Sequence, residues 1–246
     1  MHDGAYGSLA CLFGQRWFQR LKVVSRGVDT VSYDPAHRSE ALRQQWGLAP
    51  QDLAVLSVGR LAKEKNLDLL LRSFEAIQAR QPCARLVLVG HGPMLQELQL
   101  KCPGAIFTGQ LRGHTLAEHY ASADLFLMPS LTETFGNVTT EAMASGLPVV
   151  AFNYAAAAEL IESGVNGRLV AMRDTEDFVF AASEVAAQAV QLKSMAAAAR
   201  QTALGLDWAC IVEKFENELL EVIDANRIPA VNGTPSNGSP LNVSRV

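Results

Sequence analysis

From position 53 onward, short apolar runs rich in β-branched residues alternate with longer stretches whose apolar residues recur every three or four positions, and Gly, Pro or Asn separates each pair. That alternation predicts repeated βα units. The expected strands are Leu53–Val58, Arg85–Val89, Ala105–Thr108, Leu125–Met128, Pro148–Ala151 and a short one at Arg168–Val170. Expected helices are Leu67–Arg80, Pro93–Leu100, Thr115–Ala121, Val138–Ser145 and Ala156–Glu162. After Asp174 the pattern is helical throughout and ends in an amphipathic run from Trp208 to Ile223. Strands apolar on both faces and joined by helices belong in a parallel sheet covered on two sides, so the expected fold is α/β, a Rossmann-like doubly wound parallel sheet. In such a sheet a ligand binds outside the carboxyl ends of the strands.

The two ends of the chain break the pattern. Residues 1–20 contain apolar residues but form no βα unit, and Leu21–Val24 is a candidate strand leading into SRGVDT; this start looks cut, as if from inside a larger architecture. Beyond Asn226 the residues PAVNGTPSNGSPLNVSRV carry almost no apolar periodicity and are expected to be a disordered tail. Composition narrows the function classes. With 49% hydrophobic residues in 246 the chain can bury a sizeable core, and 21 Lys plus Arg against 25 Asp plus Glu leave a net charge of −4. A chain so charged is no basic nucleic-acid binder. There is no uninterrupted apolar run of spanning length and no export signal, so the expected location is cytoplasmic. Cys11, Cys83, Cys102 and Cys210 are scattered, without the spacing of a zinc site or a redox pair.

Three loops carry candidate chemistry, each directly after an expected strand. The sharpest is Glu133-Thr-Phe-Gly-Asn-Val-Thr-Thr-Glu141. Gly136 allows backbone to approach a ligand, and the helix starting near Val138 points its free N–H groups and positive dipole end into the loop. Glu133 is expected in the loop and Glu141 about one turn into the helix, facing the cleft, where two carboxylates accept hydroxyl hydrogen bonds. Taken singly, each glutamate is more ordinarily a solvated surface residue. The second loop is Gly59-Arg60-Leu-Ala-Lys63-Glu-Lys65-Asn66, whose Arg60 and Lys65, with Lys63 as a further candidate, suit a diphosphate; Asn66 is expected to cap the next helix. The third, Val89-Gly90-His91-Gly92-Pro93, begins like a dinucleotide fingerprint but has Leu95 at the third glycine position. It says only that backbone comes close to something, whether a sugar or phosphate or the next helix. His91 is a candidate ligand contact, and His114 and His119 are helix positions without a catalytic role. No nucleophile triad, glycosidase carboxylate pair, P-loop or metal cage appears.

Together and in order, SRGVDT, VGRLAKEKN (Val58–Asn66), LVLVGHGP (Leu86–Pro93), FTGQL (Phe107–Leu111), ADLFLMPSLTETFGNVTTEAMASGLPVVAFN (Ala123–Asn153) and SGVNGRLV (Ser163–Val170) resemble the donor-binding, C-terminal half of retaining GT-B glycosyltransferases of family 4. The resemblance implies that Arg60 and Lys65 hold the donor diphosphate, Glu141 binds the ribose and Glu133 lies by the donor sugar, with Arg60, Lys65 and Glu133 as the catalytic set. It places Phe135, Gly136, Asn137 and Val138 against the sugar or phosphate. It lines the base pocket with Gly109, Gln110 and Leu111 and borders the cleft with Gly59, Gly90 and Gly92. It further implies no cofactor and no metal. SRGVDT, ETFGNVT and AFNYAAA are similar to a subgroup using GDP-mannose, so a hexose, mannose, is the expected group transferred. Thr140 and Asn153 depart from the common leucine and aspartate. The resemblance divides the chain into residues 1–20, a remnant of an N-terminal domain or linker, residues 21–225, the donor domain, and residues 226–246, the tail. The acceptor, a lipid or glycan, and any peripheral membrane contact would belong to an N-terminal domain that these residues do not contain. A second expectation is therefore a nucleotide-sugar-binding module that needs a partner chain for the acceptor half. A nicotinamide-dependent oxidoreductase, resting only on fold class and the GxG turn, is the third.

Overall fold

A computed structural model describes residues 26–133 and 136–225. Six strands, β1 (Ala54–Val58), β2 (Arg85–Val89), β3 (Ile106–Gly109), β4 (Leu125–Met128), β5 (Val149–Phe152) and β6 (Gly167–Val170), form one parallel sheet in the order β3-β2-β1-β4-β5-β6. The helices are α1 (Glu40–Gln45), α2 (Leu67–Arg80), α3 (Leu95–Lys101), α4 (Gly113–Ser122), α5 (Asn137–Ala144), α6 (Ala155–Leu160), α7 (Thr175–Ala187), α8 (Ala189–Leu204) and α9 (Trp208–Ala225). The expected doubly wound sheet is the observed one.

Strict alternation along the strands divides the interior into two cores. Val55, Leu86, Leu88, Leu125, Leu127, Val150 and Phe152 face α2 and α7. Their neighbours Ala54, Leu56, Val87, Val89, Phe126, Met128, Val149 and Ala151 face Tyr120 of α4, Met143 of α5 and Ala157 of α6. Since each side chain is taken up by one helical layer or the other, a one-residue slip of any central strand would exchange the two cores.

Strand and helix ends differ from expectation by a residue or two, as where α6 ends at Leu160 because Ile161 turns to extended backbone. The candidate strand Leu21–Val24 and the expected tail lie outside the described residues. One helix escaped the pattern: α1, whose N-cap Ser39 accepts from the Leu42 amide at 3.2 Å and which follows a turn of 3-10 helix at Pro35–His37. Its Arg43 is 1% exposed and donates to the carbonyls of Ser122 (2.8 Å) and Asp52 (2.6 Å) and to Asp124 Oδ2 (2.9 Å). Asp124 also accepts from the Ala54 amide at 2.8 Å, so one buried ion pair joins α1 to the starts of β1 and β4. At the other edge Arg200 of α8 donates to the carbonyls of Thr30, Tyr33 and Ala144 and to Asp34, fastening residues 30–34 to the end of α5.

Candidate functional site

The order of strands reverses between β1 and β4, and the loops leaving the carboxyl ends of these two strands diverge there into a crevice. A cavity of about 20 Å³, room for roughly one water, is lined by Ser57, Gly59, Arg60, Leu61 and Lys65 from the first strand and loop and by Met128, Pro129, Ser130 and Glu133 from the second. The charged residues that the sequence assigned to a diphosphate and a sugar thus come together. Lys65 Nζ donates to Glu133 Oε1 at 2.6 Å, with the two side chains 26% and 11% exposed. Lys65 is aimed inward because it closes a turn of 3-10 helix, Lys63–Lys65, after which Asn66 takes a left-handed conformation (φ 53°) and α2 begins. Asn66 occupies the cap position as expected, but its side chain makes no cap hydrogen bond; the left-handed backbone, not an Asx cap, turns the chain. Arg60 stands at the mouth, 68% exposed, within 3.6 Å of Glu64, and Lys63 is exposed.

The glycines of the GxG turn meet protein backbone. Gly90 has φ 142°, and a Cβ there would overlap the Gly59 carbonyl oxygen; one at Gly92 would overlap that of Leu61. Around them the loops after β1, β2 and β3 are laced by backbone hydrogen bonds, from Gly59 N to Val89 O at 2.9 Å, Leu61 N to His91 O at 3.1 Å and Gly90 N to Gly109 O at 2.8 Å. Gly90 and Gly92 therefore let two loops touch and fix the base on which Arg60 and Lys65 stand. His91 contributes its carbonyl to this lacing and its side chain is exposed. Gly109, with Gln110 exposed and Leu111 half-buried, continues the rim and has open space where a Cβ would stand.

On the other side of the crevice Gly136 (φ 65°) is the N-cap of α5, and a Cβ on it would come within 2.5 Å of the Ala156 Cβ. No side chain caps this helix, whose first amides belong to exposed Asn137 and half-buried Val138. Thr139 donates to Met128 Sδ at 3.2 Å and holds α5 against β4. Phe135 lies outside the described residues.

Glu141 lies one turn into α5, as expected, and is half-buried. It is not among the residues lining the cavity; its Oε2 accepts from the buried Tyr120 hydroxyl at 3.0 Å, and Tyr33, whose ring stands edge-on to Tyr120 at 5.7 Å, hydrogen-bonds to it as well. Tyr33 and Tyr120 have no motif around them, and only the fold brings them to α5. Burial raises the Glu141 carboxyl above its ordinary 4.5, against the hydrogen bonds from Tyr120 and Tyr33 that favour the charged form. An acid whose folded pKa is raised destabilises the fold once pH exceeds that pKa, and the penalty is absent below the unfolded value. Glu141→Gln is accordingly expected to gain stability over wild type as pH rises from about 4.5 toward 7, and thermal melts across that range check it.

A family profile described as "Glycosyl transferases group 1" matches residues 52–188. The sulfoquinovosyl transferase SQD2 of Arabidopsis thaliana is 35% identical over 205 residues, covering 81% of this chain and 39% of that protein. A GDP-mannose-dependent alpha-mannosyltransferase of Corynebacterium glutamicum is 37% identical over 213 residues, 86% of this chain and 50% of that one. The chain thus spans half or less of the length of these curated relatives. Among solved structures, sucrose-phosphate synthase from Thermosynechococcus elongatus superposes with a TM-score of 0.72 at 23% identity, covering 90% of this chain and 58% of that one. Anabaena Alr3699/HepE, in complex with UDP and glucose, superposes with a TM-score of 0.68 at 27% identity over 81% of this chain and 56% of that one. No helix among the described residues is long and apolar enough to cross a membrane.

Proposed function

The chain belongs to the group 1 glycosyl transferases, with the α/β sheet of their GT-B fold, and on that premise we propose that it supplies the donor site of a retaining glycosyl transfer of the family 4 kind. The donor is a nucleotide sugar, with GDP-mannose the first candidate. The observation that carries this reading is the convergence of Arg60, Lys65 and Glu133 on one crevice at the point where the sheet order reverses. Two cations at a strand end suit a diphosphate, and a carboxylate beside them suits sugar hydroxyls. When the bond from the anomeric carbon to the diphosphate oxygen breaks, negative charge grows on the leaving group, and Arg60 and Lys65 are assigned to offset it in the role a metal ion fills elsewhere. The amides at the start of α5 stand across the crevice for a phosphate or hydroxyl oxygen.

Glu141, joined to Tyr120 through Oε2, is assigned the ribose, and Gly109, Gln110 and Leu111 the base. Support for mannose comes from SRGVDT, ETFGNVT and AFNYAAA and from the Corynebacterium relative. The UDP and glucose bound to the Anabaena protein make UDP-glucose the competing donor. Acceptor recognition, whether of a lipid or a glycan, is assigned to residues beyond this donor side, in the same polypeptide or in a partner chain.

Thermal denaturation with GDP, UDP, ADP and their hexose conjugates tests the reading. A ligand at a hundred times its Kd stabilises a fold by about 2.7 kcal/mol, and GDP-mannose is expected to give the largest shift. A panel in which no diphosphate moves the transition overturns the assignment. In the same assay Lys65→Ala is expected to weaken diphosphate affinity about 10- to 100-fold, the measure of one lost hydrogen bond between charged groups.

A further inference from the structure

Glu141 has more partners than a ribose contact requires. The Tyr120 hydroxyl donates to its Oε2 at 3.0 Å, the Tyr33 hydroxyl bonds to the same carboxylate, and Arg26 adds an attractive charge. The two phenols come from different parts of the fold. Tyr120 is fully buried in α4, its ring packed against Phe126 of β4 with centroids 5.8 Å apart, so it has no room to follow a moving partner. Tyr33 lies ahead of α1, and its ring meets that of Tyr120 at 82°. Its backbone is held from both sides, the amide donating to the Asp29 carbonyl at 3.0 Å and the carbonyl accepting from Arg200 at 3.0 Å. The same Arg200 nitrogen donates at 2.7 Å to the carbonyl of Ala144, the last residue of α5. One guanidinium thus fixes Tyr33 relative to the helix that carries Glu141. Burial, and then the Glu141 charge, push both phenols above their ordinary 10, so each keeps the proton it donates.

A glutamate side chain swings about several bonds, and a ligand that must first arrest that motion binds less tightly than one that meets it already set. Two rigid donors set it here. They also use only part of the carboxylate, whose two oxygens offer about four lone-pair sites, so two phenols leave capacity for two further hydroxyls. Ribose presents such a neighbouring pair. We propose that Tyr33 and Tyr120 are positioning residues that aim Glu141 at the two ribose hydroxyls of the nucleotide, and so make this site favour ribonucleotides over nucleotides that lack those hydroxyls. The inference rests on the assignment of Glu141 to the ribose and extends it to the side chains that hold the carboxylate. Arg200 takes part through the Tyr33 backbone.

Calorimetric titration of the full chain with GDP and with dideoxy-GDP, which lacks both ribose hydroxyls, reads the contact as a ratio of affinities. Wild type is expected to favour GDP by about tenfold or more, the measure of a hydrogen bond to a charged group. Tyr120→Phe and Tyr33→Phe each remove one hydroxyl and keep the ring. Each is expected to cut that preference by about threefold or more while the affinity for dideoxy-GDP stays within about twofold of wild type. A phenol that only braced the fold would weaken both nucleotides alike. Equal losses for the two nucleotides, or no loss for either, in both variants overturns the proposal, as does a wild type without preference for GDP. Because the two tyrosines sit in different parts of the fold, misfolding of one variant leaves the other to decide. Glu141→Ala separates the proposal from its premise. A preference that survives it removes the ribose assignment, whereas a preference that it abolishes and both phenylalanine variants keep strikes the tyrosines alone.

Discussion

Gly90→Ala is expected to cost about 3 kcal/mol or more of folding stability, because the added methyl group must occupy the position of the Gly59 carbonyl oxygen and the backbone holds a φ of 142° that alanine resists. The obstruction is backbone, which cannot swing aside as a side chain tip does. Relief requires the loop after β1 to move away from the loop after β2, which breaks the bonds from Gly59 N to Val89 O and from Leu61 N to His91 O. Urea denaturation followed by circular dichroism measures the loss. Any folded fraction is expected to bind a diphosphate more weakly as well, since Arg60 follows directly on the displaced glycine. Stability within about 0.5 kcal/mol of wild type would show that the contact between the two loops is not rigid.

The second large effect is expected at Asp124→Ala, a position far from the crevice. Arg43 is buried to 1% exposure and Asp124 is its charged partner within 3 Å. Removing the carboxylate leaves a buried guanidinium whose remaining carboxylate, the exposed Glu40, stands 3.8 Å away, and it also takes from Arg38 its partner at 3.1 Å; leaving a buried charge so poorly paired costs about 3–5 kcal/mol. The Ala54 amide loses its acceptor in the same substitution. The companion Arg43→Met is expected to cost less than Asp124→Ala, because it withdraws the charge and fills similar volume. Equal losses in the two variants would mean that packing of the long side chain, and not the stranded charge, holds α1 to the sheet.

The sheet was legible because β1, β2, β4 and β5 are apolar on both faces, and only a parallel sheet covered on two sides consumes such runs. The order of the loops then followed from the order of the strands, which is why Arg60, Lys65 and Glu133 could be assigned to one end of the sheet. Two kinds of feature stayed hidden. Helix α1 is short and its most buried side chain is an arginine, so a search for apolar periodicity passes over it, although Ser39 ahead of Glu40-Ala-Leu was an available start signal. The partners of Glu141 were hidden for another reason: Tyr33 and Tyr120 are 108 and 21 residues from it in sequence and reach it only after folding. The glycines of the GxG turn were read correctly as a close approach. What they approach, the loop after β1, depends on β1 and β2 being neighbours, which strand periodicity alone does not say.

The pair between Lys65 and Glu133 gives the crevice a lock of its own. A diphosphate entering there competes with Glu133 for a single ammonium, and winning it strands a carboxylate that is only 11% exposed. A nucleotide that still carries its hexose brings hydroxyls to that stranded carboxylate, whereas one that has given its hexose away brings none. Exchange of partners at one lysine would therefore let this side of the crevice tell a loaded donor from a spent one, holding the first and loosening its grip on the second.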